Sequence, residues 1–133
     1  MAADLDSYAI IREDATLKIK GRIVRLYGIY TGQFCNAFQP SLLCAQQAAR
    51  ALNFKIQGFV HCNEQWQNRD GTITAICVFD GEDLSAYLIQ QGWAVAAPYA
   101  PFEYHAFERI ARHRGLGIWG GYTLDPYTYP YRY

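Results

Sequence analysis

Hydrophobic and polar positions alternate in short runs along the first thirty residues. Ser7 to Ile11, Thr16 to Ile19 and Arg22 to Tyr27 are rich in β-branched residues and predict three strands. Lys20-Gly21, between the last two, predicts a tight turn. After Pro40 the period changes. Leu42, Ala45, Ala49 and Leu52 recur at helical spacing, which predicts a helix opening at Ser41 with one apolar face. Lys55 to Cys62 and Thr72 to Phe79 return to strand-like runs, joined by the turn-rich Gln67-Asn68-Arg69-Asp70-Gly71.

Asp80-Gly81-Glu82-Asp83 predicts a turn into a second helix, Leu84 to Gln91, stopped by Gly92. Pro98 and Pro101 mark a loop before a third helix, Phe102 to Arg114, with Tyr104, Phe107 and Ala111 on one face. Glu103 in its first turn and Arg109, Arg112, His113 and Arg114 in its last turns suit the helix dipole, and Gly115 ends it. Three strands, a helix, two strands and two helices predict an α+β chain: a five-stranded Greek-key barrel of the OB type with three helices.

Composition narrows the function. The 133 residues suit one domain, and 51% hydrophobic with 18% charged content excludes a disordered chain. Twelve basic residues balance twelve acidic ones. Binding through nucleic-acid phosphates favours a cationic surplus, so a nucleic-acid partner is disfavoured. No apolar run reaches the length of a membrane span. The opening Met-Ala-Ala-Asp-Leu-Asp lacks the basic and apolar segments of a signal peptide, leaving a cytosolic protein or an exported one whose signal has been removed.

The four cysteines allow three connectivities. Pairing neighbours, Cys35 with Cys44 and Cys62 with Cys77, is physically sensible, because the second pair falls in two adjacent strand-like runs. Four buried free thiols are the alternative. A zinc site is disfavoured, since no Cys-x-x-Cys spacing occurs and His61 alone lies beside a cysteine. His61, His105 and His113 form no metal-ligand spacing, and no metal or other cofactor is expected. Oxidised cysteines would place the protein outside the cytosol.

Ile11 to Gln33 includes Asp-Ala-Thr-Leu-Lys-Ile, then Arg25-Leu26-Tyr27-Gly28-Ile29-Tyr30. This segment resembles the opening of the thermonuclease (staphylococcal nuclease-like) family, where Asp-Gly-Asp-Thr starts one strand and Arg-Leu-x-Gly-Ile-Asp-x-Pro-Glu ends another. Gly81-Glu82-Asp83-Leu84, Gln91-Gly92-Trp93-Ala94, Tyr104 with Glu108 and Ala111-Arg112, and Gly115-Leu116-Gly117-Ile118-Trp119 extend the resemblance in order, from about Ser7 to Trp119. It implies a domain over residues 1–119, with Trp93 and Trp119 as packing residues. Secreted bacterial members are similar in carrying cysteines at corresponding places, which implies the two neighbour disulfides and a periplasmic or secreted location.

The family holds calcium with two aspartates, positions water with a glutamate and offsets phosphate charge with two arginines. On this sequence those positions carry Ala15, Tyr30, Gln33, Arg25 and Thr72, so Arg25 alone is kept. Glu13 and Asp14 lie next to Ala15, yet a single carboxylate facing a tyrosine and a glutamine is a poor calcium site, and glutamine is no general base. The resemblance therefore implies a pseudoenzyme, with a non-cleaving nucleic-acid module or a residual calcium-dependent nuclease as alternatives. Arg25 is expected either to bind an anion or to pair with Glu13 or another carboxylate. Of the family's nucleotide-contacting tyrosines, Ala97-Pro98-Tyr99 keeps one at most.

Residues 120–133 form a Tyr/Pro-rich tail. Pro126 and Pro130 argue against a regular element, and Tyr127, Tyr129, Tyr131 and Tyr133 fall on alternate positions. With Tyr122 they are candidates for docking a protein partner, since tyrosine offers large contact area at low entropic cost. A tail packed on its own domain is the alternative.

Overall fold

A computed structural model describes residues 4–31 and 41–120, with the side chains of 41–44 excepted. The first predicted strand is broken in two: β1 (Asp4–Ser7) and β2 (Ile10–Ile11). β3 (Leu17–Ile19), β4 (Arg22–Leu26) and the short β5 (Ile29–Tyr30) follow, then α1 (Ser41–Lys55), β6 (Val60–Gln67), β7 (Ile73–Phe79) and β8 (Glu82–Asp83). The chain continues through α2 (Leu84–Gln90), β9 (Val95–Ala96), α3 (Phe102–Arg114) and a 3-10 turn, Gly117–Trp119.

The main sheet is mixed and runs β1-β6-β7-β4-β3-β2, with β8 added to β7, while β5 pairs β9 separately. β1 and β2 lie at opposite edges of that path although only Tyr8 and Ala9 separate them in the chain. The sheet must therefore curl to bring its edges together, which makes it barrel-like. Tyr8 packs its ring edge-on against Phe59 at this junction, with centroids 4.4 Å apart. β4 meets β7 in parallel, through Val24–Ile73, Arg25–Thr74 and Leu26–Ala75. That register sets Val24 and Leu26 inward and leaves Arg25 outside.

Hairpin turns follow the predicted chemistry. Lys20-Gly21 and Asp80-Gly81 both take positive φ at both positions, the mirror-image turn that matches strand twist. The second turn shows that Glu82-Asp83 is a strand pairing with Val78 and Phe79, not part of the turn. The predicted strand over Lys55 to Cys62 is also displaced: Lys55 ends α1, and β6 begins only at Val60. The Ile56 amide still bonds the Leu52 carbonyl, so the helix runs its hydrogen bonds to the point where Gly58 breaks the chain.

Helix α2 packs on β7, α1 packs on β2 and α2, and α3 packs on α2 and β9. Ala45, Ala49 and Leu52 of α1 are buried, as the helical spacing predicted for the described part of that face, and Ala48 is buried beside them. Leu17, Ile19, Val24, Ile73, Leu84 and Leu88 are fully enclosed at the centre. Asp83 caps α2 by accepting from the Ser85 and Ala86 amides, and its other oxygen accepts from the Tyr104 hydroxyl. Ser85 donates to the Tyr27 carbonyl at 2.7 Å. These bonds tie α2, α3 and the turn after β4 together.

Cys62 and Cys77 sit directly opposite each other in the β6–β7 ladder and form a disulfide. Cys35 and its proposed bond to Cys44 lie outside the described residues, as do Gln33 and the tail tyrosines Tyr122, Tyr127, Tyr129, Tyr131 and Tyr133. Among the described residues no helix is long and apolar enough to cross a membrane.

Two stability predictions follow from this core. Closing a loop with a sequence separation of 15 contributes about 3 kcal/mol through the unfolded state. Replacing Cys62 and Cys77 together by alanine should lower the urea unfolding free energy by about that amount. Tyr104 is only 5% exposed, and burial followed by its bond to Asp83 raises its hydroxyl pKa. Tyr104→Phe, measured in the same way, should cost about 2 kcal/mol, the scale of a hydrogen bond to a carboxylate.

Candidate functional site

A cleft of about 310 Å³ opens where β4, the end of β6 and the loop before β3 meet. Ala15, Arg25 and Tyr30, far apart in the chain, all line it. Thr72 does not line it but touches Arg25, accepting from its Nε at 3.2 Å. Four of the five positions marked by the thermonuclease resemblance therefore converge, and Gln33, the fifth, is not among the described residues.

Local geometry explains the wall formed by residues 14–16. Arg12 and Thr16 bond across a tight loop, and the Ala15 amide donates to the Arg12 carbonyl. Ala15 is forced to φ 68°, a left-handed conformation that costs a non-glycine residue energy. Asp14 faces the cleft, and its Oδ1 accepts from both the amide and the hydroxyl of Thr16. Partial burial pushes its carboxyl up, but these bonds and Arg12 outweigh that and leave it below the usual value.

Arg25 pairs with Asp70, not with Glu13. Its Nη2 lies 3.2 Å from Asp70 Oδ2, with both side chains about half exposed. Asp70 also accepts from the Thr72 hydroxyl and amide. The Thr72 hydroxyl oxygen is saturated, since it donates to Asp70 and accepts from Arg25 and from Asn68 Nδ2. So Thr72 serves to hold the Arg25 guanidinium. A surface pair of this exposure contributes little to stability, but it fixes the direction of the guanidinium.

Aromatic rings form the opposite wall. A β-bulge between Glu64 and Trp66 shifts the β6–β7 register and sets Trp66 opposite Thr74, which also lines the cleft. The indole Nε1 donates to Asn68 Oδ1 at 3.0 Å, while Asn68 Nδ2 donates to Thr72 and Thr74. Trp66, Tyr27 and Tyr99 meet edge-to-face, each pair with centroids 5.6 Å apart. Burial raises the Tyr99 hydroxyl pKa against a smaller lowering by the Gly28 backbone.

The sequence reading singled out Ala15, Arg25, Tyr30, Thr72, Asp14 and Tyr99; all but Thr72 line this cleft, and Thr72 touches Arg25. Trp66, Asn68 and Asp70 were missed as site residues. An aromatic standing in the polar run before Asp70-Gly71 was the available signal for Trp66. Trp93 and Trp119 lie together around Ile118 as packing residues. His105 and His113 flank a separate shallow groove on α3, away from this site. Among the described residues no group of three or more histidine, cysteine, aspartate or glutamate side chains is placed to hold a metal ion.

No protein-family model matches the chain, and no curated protein matches its sequence.

Asp70 gives this network a measurable signature. The Thr72 hydroxyl, then the Thr72 amide and Arg25, lower its pKa from 3.8 to about 2. A depressed carboxylate favours the folded state at pH above 3.8, and that contribution disappears as pH falls through about 2. The Asp70 side-chain carbon, followed by NMR, should titrate near pH 2, and Thr72→Val should move its midpoint up towards 3.8.

Proposed function

We propose that this chain is a thermonuclease-like OB domain that has lost catalysis and serves as a protein-binding or structural accessory subunit of an exported assembly. One observation supports the reading: Ala15, Arg25 and Tyr30 meet at one cleft whose lining, among the described residues, offers Asp14 as its one carboxylate and Arg25 as its one cation. Ala15 and Tyr30 offer no carboxylate, Thr72 offers no cation, and Arg25 is already held by Asp70 and Thr72. Attack on a phosphodiester builds negative charge that metal ions and cations must offset.

Calcium does not fit these residues. It takes six or more hard oxygen ligands, most effectively carboxylates. The wall facing Arg25 has one carboxylate, Asp14, and one of its oxygens is committed to Thr16. No step of a calcium-dependent reaction can be derived from such a donor set.

The Cys62–Cys77 disulfide supports an oxidising, extracytoplasmic location. The balance of twelve basic and twelve acidic residues supports a protein partner over nucleic acid. Tyr122, Tyr127, Tyr129, Tyr131 and Tyr133 are assigned to docking that partner.

The test is a cleavage assay on single-stranded DNA and RNA, with calcium and with chelator, alongside Arg25→Ala. The expected outcome is no calcium-dependent product from either protein. Calcium-dependent cleavage that Arg25→Ala loses would overturn the reading. Gel filtration of extract from the native source should place the full chain in a larger assembly, and deletion of residues 120–133 should release it. Elution of the full chain as a lone monomer would remove the accessory-subunit role.

A further inference from the structure

The geometry points to the cleft as a binding site for a neutral glycan unit, stacked on Trp66, flanked by Tyr99 and hydrogen-bonded between Asp14 and Arg25. This goes beyond the accessory-subunit reading and does not depend on the tail or its partner.

Features on both sides keep the cleft built although Asp14 and Arg25 are the only charged residues in its described lining. The bulge at Glu64/Trp66 re-aims one side chain, a device common beside binding sites. The indole it delivers is 41% exposed yet fixed by Asn68, and Tyr99 is 49% exposed yet braced by Tyr27. On the other wall Ala15 is held at φ 68° beside Asp14. Strain of this kind persists where surrounding structure enforces it, and it clusters at ligand sites.

The chemistry selects the ligand. Rigid aromatic faces open to solvent suit the C–H face of a sugar ring as well as a planar base. Hydroxyl groups need both acceptors and donors. Asp14 Oδ2 accepts no bond and Arg25 Nη1 donates none among the described residues, so one of each remains on the cleft wall. Thr74 lines the same wall, and its hydroxyl oxygen already accepts from Asn68, leaving its own proton to donate.

Charge then separates sugar from nucleotide. Among the lining residues Asp14 balances Arg25, and Arg25 is already paired with Asp70, so no uncompensated cation is left to meet a phosphate group, whereas a neutral sugar needs none. A volume of about 310 Å³ lies at the small end of ligand sites and suits a short glycan stretch.

The test uses the full oxidised chain and follows the Trp66 indole N–H and the Thr16 and Thr74 amides by NMR. Cellotriose, maltotriose and chitotriose are the neutral probes, with adenosine and AMP in parallel. Saturable shifts of these three signals by at least one trisaccharide are expected, with AMP producing none. Trp66→Ala should weaken that binding about tenfold, the scale of one aromatic contact. Asp14→Asn keeps an oxygen for Thr16 but removes the charged acceptor, and it should also weaken binding while the spectrum stays dispersed. The idea fails if no trisaccharide shifts these signals, if Asp14→Asn binds as tightly as the parent, or if adenosine or AMP shifts them more strongly. The cleavage and gel-filtration experiments use no glycan, so their failure and this one remain distinguishable.

Discussion

The carboxylate of Asp83 is the point on which the other parts of this fold rest. One oxygen caps α2, and the other takes the hydroxyl proton of Tyr104 from α3. The Tyr104 ring in turn lies against Gly28, where an added Cβ would stand 2.7 Å from the ring. With φ at 81°, Gly28 also takes a backbone conformation that side chains disfavour. The chain can thus turn from β4 into β5 tightly enough to set Arg25 and Tyr30 on the same cleft. Ser85 reinforces the turn by donating to the Tyr27 carbonyl. A half-buried carboxylate is well tolerated here because hydrogen-bond donors meet both its oxygens.

That arrangement separates scaffold from chemistry. The scaffold side consists of apolar burial and saturated hydrogen bonds, and little in it depends on ionic strength. The cleft side carries one exposed ion pair and one carboxylate, with aromatic rings between them. Changing charges on the cleft side leaves the Asp83 hub untouched, so a domain of this design can lose one reactivity while keeping its shape. In the Arg25–Thr72–Asp70 network the guanidinium is held by its neighbours at the rim of the cleft, apart from that hub.

Much of the fold was legible because it is local. The hairpin glycines, the apolar spacing of α1 and the extent and Gly115 stop of α3 follow from residues within a few positions of each other. β5 and β9 were not legible. Each is two residues long, and the pairing of Ile29 with Ala96 has no local pattern. The Lys55 to Val60 segment was misread because its apolar residues fit either period, and only the continuing helical hydrogen bond at Ile56 decides it. At the cleft, aligning motifs found Ala15, Arg25, Tyr30 and Thr72. It could not find Asp70 as the partner of Arg25, because the parallel β4–β7 register creates that contact. Trp66 depended on a bulge, which leaves no mark in an alternation pattern.

The placement of β6 and β7 has a consequence for how the chain assembles. They are joined by a short turn and a disulfide, whereas β1 reaches β6, and β4 reaches β7, only across long stretches of chain. Loop-closure entropy favours the local hairpin as the first piece of sheet. The hairpin then offers two ladders, one for each late-arriving strand. A compartment that oxidises thiols would lock this template before the distant strands dock, so redox conditions and folding order would be coupled through Cys62 and Cys77.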